Sequence, residues 1–334
     1  MPFIRNICNY RSLAIVGLEK NTGKTVCLNY ILRRLHEMGV STAVTSIGVD
    51  GEQVDAVYAT AKPEIVLYEG MHFITSQKHY QQRNLVSRII SVDERRTALG
   101  PLVTAEVMHR GKAILSGAAT TKMLRQQIAQ FQTSDIQLAI VDGALSRISL
   151  ASPTVTDAMI LATGAAVSPN LSQLVSKTKF AYRLIMLEEA APALIQRLHP
   201  ITSGTWGIDT DGEVHDLELK SAFLLGSNEN DLFRYGNTLY TAGVVSDRLL
   251  KYLCSRPNVS ECLLIAQDFT KLFITPETYA NFTRRGGRIQ VVQRSNLIAV
   301  TVNPTSPQGY LLNSAETCHA LSDALGCPVY DLLA

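Results

Sequence analysis

Leu13-Ala-Ile-Val-Gly-Leu-Glu-Lys-Asn-Thr-Gly-Lys-Thr25 decides how this chain is read. The apolar run from Leu13 to Val16 predicts a buried β-strand. Beyond the loop, Val26-Cys-Leu-Asn-Tyr-Ile-Leu-Arg-Arg-Leu35 sets apolar residues at 28, 31, 32 and 35, which share one face of a helix. Strand, tight loop and helix is the context in which Gly-Lys-Thr cradles phosphate. The first backbone N–H groups of such a helix have no partner within it and point outward, and the helix dipole adds to the pull on an anion. Gly17, Glu19, Lys20, Asn21, Thr22, Gly23, Lys24, Thr25 and Val26 are therefore the expected nucleotide-binding residues. Gly23 allows close backbone approach, Lys24 reaches the terminal phosphate oxygens, and Thr25 offers a hydroxyl to Mg²⁺.

Outward from this unit, residues 41–48 predict a second strand, so strand–helix–strand spacing points to a parallel sheet. The run Ile136-Gln-Leu-Ala-Ile-Val-Asp142 ends an apolar strand in a carboxylate. In a parallel sheet the carboxyl ends of the strands share one rim, where ligands bind. Asp142 is thus expected to share that rim with Lys24 and to hold Mg²⁺ through water. Asp50, after the second strand, is the expected metal contact or orienter of the attacking water, with Glu52 and Asp55 as substitutes; Asp50-Gly51 is also a good turn pair. Phosphoryl transfer needs positioning and charge neutralisation more than covalent chemistry, so Lys24, Mg²⁺ and one such acid would suffice. Arg147 could reach phosphates or a partner, or be a plain surface charge.

The remaining pattern is α/β throughout. Residues 72–117 read as a β-rich insertion, 120–131 and 171–187 as helices, and 156–163 as a buried strand. A change of composition at 200–212 suggests a junction, giving a nucleotide-binding domain at 1–205 and a second, Rossmann-like α/β domain at 206–334. Within the latter, Thr275 is an N-cap, Pro276 opens a helix, and Gly286-Gly287 stops it. The polar stretch Asn303-Pro-Thr-Ser-Pro-Gln-Gly309 reads as a surface turn or a binding loop.

Composition narrows the function. With 31 basic and 29 acidic residues in 334, the net charge of +2 gives no basic stripe for nucleic acid. No apolar run approaches the roughly 20 residues that cross a bilayer, and the amino terminus is too polar for a signal peptide. The six cysteines are scattered without Cys-x-x-Cys pairs, as expected of thiols in a reducing cytoplasm. The histidines lack metal-ligand spacing. Lys177 and Lys179 lack the following Asp of a guanine-reading motif, which favours ATP over GTP.

The usual phosphate loop has Gly where this chain has Leu18, with Gly17 one residue earlier. That longer loop, with Glu19 inside it, resembles dethiobiotin synthetase and related SIMIBI-class P-loop proteins. Further phrases narrow the resemblance: Ser46-Ile-Gly-Val-Asp-Gly-Glu52, Lys62-Pro63, Val141-Asp-Gly-Ala-Leu-Ser-Arg147, Asp157-Ala-Met-Ile-Leu-Ala-Thr-Gly-Ala165 and Val302-Asn-Pro-Thr-Ser-Pro-Gln-Gly-Tyr310. Together they are similar to the KamB-type subunit of lysine 5,6-aminomutase reactivase over nearly the whole chain. The resemblance implies an ATPase of amino-acid-fermenting anaerobes. ATP hydrolysis would drive release of damaged cobalamin from an adenosylcobalamin-dependent aminomutase, together with a second reactivase subunit. Lys24, Thr25 and Asp142 would carry ATP and Mg²⁺, and the class often forms homodimers across the nucleotide. Two other readings use the same cradle: a dethiobiotin-synthetase-like ligase or kinase acting on a small carboxylate, and a nucleotide sensor that does not hydrolyse.

Overall fold

A computed structural model of the chain describes residues 1–47, 64–144, 151–219 and 232–334, without the side chains of 94–96 and 144. It divides into two compact units. The first joins Met1–Lys179 to Asn296–Ala334, and the second is Phe180–Ser295. The boundary therefore differs from the expected cut at 205. The last strands of the chain return to the first sheet, because their apolar faces complete its edge. The expected junction at 200–212 falls instead within a hairpin of the second unit, Thr205–Ile208 with Val214–Leu219.

The first unit is an α/β layer structure on a ten-stranded, mostly parallel sheet. Its parallel strands run in the order Val329–Asp331, Asn296–Asn303, Ala158–Gly164, Ser12–Gly17, Leu138–Ala144, Thr42–Ser46 and His72–Ser76. Burial on both faces explains why Ser12–Gly17 and Ala158–Gly164 read as unbroken apolar runs. On one face, Leu28, Ile31, Leu32 and Leu35 of helix Lys24–Glu37 pack with Leu13, Ile15, Val44, Phe73, Leu138 and Ile140. On the other, Leu124, Ile128 and Phe131 of helix Thr121–Gln132 pack with Ala43, Ile74, Ala139 and Val141. Alternate residues of Leu138–Ala144 thus feed opposite cores, as the period of two requires.

The expected β-rich insertion is a long antiparallel hairpin, Asn84–Thr97 with Gly100–Ala113. It does not stand apart, since Gly100–Ala113 pairs antiparallel with His72–Ser76 and with Ile65–Leu67 and so extends the central sheet. At the amino ends of the central strands Asp157 acts as a tie. Its carboxylate accepts from Arg11 N and Ser12 N at 3.1 and 2.9 Å, and its carbonyl accepts from Asn296 Nδ2 at 2.8 Å. Asp157 therefore fixes strand register on the rim opposite the Gly17–Val26 loop.

The second unit has a five-stranded sheet in the order Val214–Leu219, Thr205–Ile208, Thr238–Thr241, Leu263–Ala266 and Arg288–Val291, the last three parallel. Helices Asp247–Ser255 and Pro276–Arg284 connect them. Thr275 caps the second helix, its hydroxyl accepting from Thr278 N at 3.3 Å, with Pro276 in the first turn, as the sequence indicates. Tyr240, Ile265, Ile208 and Val292 form the core on one face of this sheet. No helix among the described residues is long and apolar enough to cross a membrane.

Candidate functional site

Strand Ser12–Gly17 sits where the order of connections reverses. Leu138–Ala144 lies on one side of it and Ala158–Gly164 on the other. Ligands of open α/β sheets bind at the carboxyl ends of the strands at such a point. Leu18 N donates to Ala162 O at 2.9 Å, holding the start of the loop to the neighbouring strand. Asn21, at φ 62°, and Gly23, at φ 89°, are left-handed and turn the chain back into the helix.

Helix Lys24–Glu37 starts at Lys24 itself, two residues before the apolar pattern, with Gly23 as its N-cap. Cys27 N to Gly23 O, 2.9 Å, closes its first turn. The N–H groups of Lys24, Thr25 and Val26 precede that closure and have no carbonyl partner within the helix. Inside the loop, the buried Thr22 hydroxyl donates to Glu19 O at 3.0 Å and Lys24 Nζ donates to the same carbonyl at 3.3 Å. The lysine side chain thus folds back over the loop rather than extending into solvent. A Cβ on Gly17 would meet Thr22 Oγ1 at 2.3 Å and Lys24 Cγ at 2.9 Å, so glycine is required there by contact.

Asp142 follows Ile140 by one strand period and so points to the face covered by helix Lys24–Glu37. Its register partner in the central strand is Ile15, on the same level as the loop's root. Burial pulls the Lys24 amine below its usual pKa. The Asp142 carboxylate opposes that fall, and Lys20 adds to it. Lys24 thus lies in the electrostatic field of Asp142. On the next strand, Ser46 Oγ donates to Asp142 O at 3.2 Å and fixes the strand end. Cys27, fully buried behind the loop, has its thiol pKa pushed up to about 12, chiefly by burial, with the charge of Asp142 adding to it.

Glu19 and Lys20 are exposed. Glu19 Oε1 lies 3.7 Å from Lys177 Nζ, which also donates to Val167 O at 3.0 Å. Lys177 thus ties helix Leu171–Ile185 to the loop. Asp50, Glu52, Asp55, Lys62-Pro63 and Arg147 lie outside the described residues.

One contributor comes from the polar stretch that the sequence left as a surface turn or a binding loop. Asn303, at the end of strand Asn296–Asn303, donates from Nδ2 to Asn21 O at 3.4 Å, and its Oδ1 accepts from Thr305 N at 3.2 Å. Its Cβ is so close to the loop that a Cβ on Gly23 would sit 2.8 Å away. Asn303 O also accepts from Ala165 N at 2.9 Å. A crevice beside the loop is lined by Thr22, Gly23, Val26, Thr301, Asn303 and Leu332, among others.

A second polar cluster was not anticipated. Strand His72–Ser76 ends on the same rim, where His79 Nδ1 and Ser116 Oγ are 2.5 Å apart and Ser116 Oγ donates to Ser76 Oγ at 3.2 Å. Thr75 Oγ1 donates to Ile114 O at 2.7 Å. All four side chains are buried, so the cluster clasps the hairpin to the sheet.

The arrangement is a glycine-bounded loop opening a helix on a mostly parallel sheet, with Lys24 in the field of the Asp142 carboxylate. No family model matches the chain, and neither the curated proteins nor the solved structures give a match.

Proposed function

We propose that this protein binds a nucleoside triphosphate, ATP by preference, with Mg²⁺ in the Gly17–Val26 loop, and hydrolyses it to remodel a protein partner. One observation carries the reading: the Lys24 amine is folded back onto Glu19 O, at 3.3 Å, and held in the field of Asp142. A half-buried ammonium bears part of the cost of desolvation unless a charge or ligand compensates it. Asp142 compensates in part and favours the protonated form that phosphate binding needs. The donor set fits Mg²⁺, which takes hard oxygen ligands: the Thr25 hydroxyl lies in the first turn of the helix and the Asp142 carboxylate near the end of strand Leu138–Ala144. The metal would supply charge neutralisation on the phosphates. The backbone N–H groups of the first helical turn would hold phosphate oxygens, and Lys24 would neutralise charge that builds on the transferred group. Asp50 is retained from the sequence as the candidate orienter of water.

The resemblance to aminomutase reactivases makes an adenosylcobalamin-dependent aminomutase the proposed client, with a second reactivase subunit as co-partner. The test is phosphate release from Mg-ATP by the purified protein, alone and with such an aminomutase, using Lys24→Ala as control. Stimulation by the aminomutase that vanishes in the variant supports the reading. Turnover that needs a small carboxylate and no protein would replace it with a ligase or kinase. Bound ATP without release in any mixture would leave a nucleotide sensor.

A further inference from the structure

The Gly17–Val26 loop carries an acid of its own. Glu19 lies inside it with its side chain about half exposed, and a carboxylate there opposes an arriving phosphate. The loop contributes two cations to the site, Lys20 and Lys24, and both act on or belong to the same amine. Against them stand Glu19 and, from strand Leu138–Ala144, Asp142. The charges of these four residues cancel, so a cation from outside the loop tips the balance.

That cation is Lys177, on helix Leu171–Ile185. Its Nζ donates to Val167 O at 3.0 Å and lies 3.7 Å from Glu19 Oε1. Val167 follows strand Ala158–Gly164, the neighbour of Ser12–Gly17, and its N donates to Gly164 O at 2.9 Å. Leu18 N donates to Ala162 O of the same strand at 2.9 Å. The ammonium is thus anchored on the strand that also holds the root of the loop. An ion pair this exposed adds little to stability. Its charge still acts on an anion entering the loop, whatever the pair contributes to folding. The Glu19 carbonyl has a separate part, accepting from Thr22 Oγ1 at 3.0 Å and from Lys24 Nζ at 3.3 Å. Those bonds are to the backbone and do not depend on the carboxylate.

We propose that Lys177 is a positioning residue for nucleotide charge: from the neighbouring helix it offsets Glu19, and so sets how strongly the loop favours a more highly charged phosphate ligand. The proposal rests on the reading of the loop as a nucleoside triphosphate site. Glu19 and Lys177 together then bias the choice between triphosphate and diphosphate.

The test is calorimetric binding of ATP and of ADP, each with Mg²⁺, to the full chain and its variants at low and at higher salt. Lys177→Gln keeps a hydrogen-bond donor and removes the charge. It is expected to weaken ATP binding by about threefold to tenfold at low salt. ADP, whose Mg²⁺ complex carries one negative charge fewer, loses less, and added salt shrinks both losses. Glu19→Gln placed in the same chain restores the wild-type affinity, because the acid that Lys177 offsets is gone. Glu19→Gln alone binds ATP at least as tightly as the wild type, and it carries the test if thermal melts show that Lys177→Gln does not fold. The proposal is overturned by no loss in Lys177→Gln, by equal losses for ATP and ADP, by a loss that Glu19→Gln leaves unrepaired, or by weaker ATP binding in Glu19→Gln alone. Lys24→Ala separates the two readings. ATP binding that Lys24→Ala does not weaken removes the triphosphate site and this role with it, whereas Lys24-dependent binding indifferent to Lys177→Gln removes only the role of Lys177.

Discussion

Replacing Gly17 with alanine probes the winding of the Gly17–Val26 loop directly. The added methyl would lie 2.3 Å from Thr22 Oγ1, against 3.4 Å or more for ordinary contact, so something must yield by about 1 Å. Thr22 is 1% exposed and cannot swing into solvent. Its hydroxyl is committed to Glu19 O at 3.0 Å. Overpacking of this kind costs about 1–3 kcal/mol, and loss of the Thr22–Glu19 hydrogen bond adds about 1 kcal/mol. Reduced freedom of the unfolded chain returns about 0.4–1 kcal/mol. Gly17→Ala should therefore lose about 1–3 kcal/mol, seen in urea as a lower midpoint with an unchanged slope. Thr22→Ala removes the obstructing hydroxyl. The double variant should accordingly be more stable than the sum of the single losses by about 1 kcal/mol or more. Strict additivity, or a Gly17→Ala variant as stable as the wild type, would refute the contact and with it the folded-back path of Thr22 and Lys24.

Two further outcomes follow from the same loop. Asn303→Ala deletes the bonds to Asn21 O and Thr305 N and should cost about 1 kcal/mol in urea unfolding. It should also weaken ATP binding measured by calorimetry, whereas unchanged affinity would separate Asn303 from the site. Cys27, with its thiol pushed up to about 12 and fully buried, should resist alkylation at neutral pH until the protein unfolds. Labelling of native protein at Cys27, read by mass spectrometry, would contradict that packing.

The strand, loop and helix of residues 12–37 were legible because each is a local pattern. A strand carrying Asp142 to the rim was legible for the same reason, although it runs on to Ala144. The parity of Leu138, Ile140 and Asp142 even fixes which face the carboxylate takes. Caps such as Thr275-Pro276 are local too, since their hydrogen bonds close within one turn. The sequence misjudged the helix start, because Lys24 and Thr25 are polar and carry no apolar signal although their backbone is already helical.

Apolar, β-branched content marks residues 297–302 as a strand; it cannot say which strand lies beside them, because pairing is a choice among distant edges. Only the tertiary structure returns that strand to Ala158–Gly164, moves the unit boundary to 179/180 and 295/296, and delivers Asn303 to Asn21. The same holds for Lys177 at Glu19 and for the clasp of His79 with Ser116. The sequence by itself determined the strand, loop and helix of residues 12–37, whose parts are neighbours along the chain. The fold decided what braces it, because those side chains come from segments up to 282 residues away and meet only when the sheet has chosen its order.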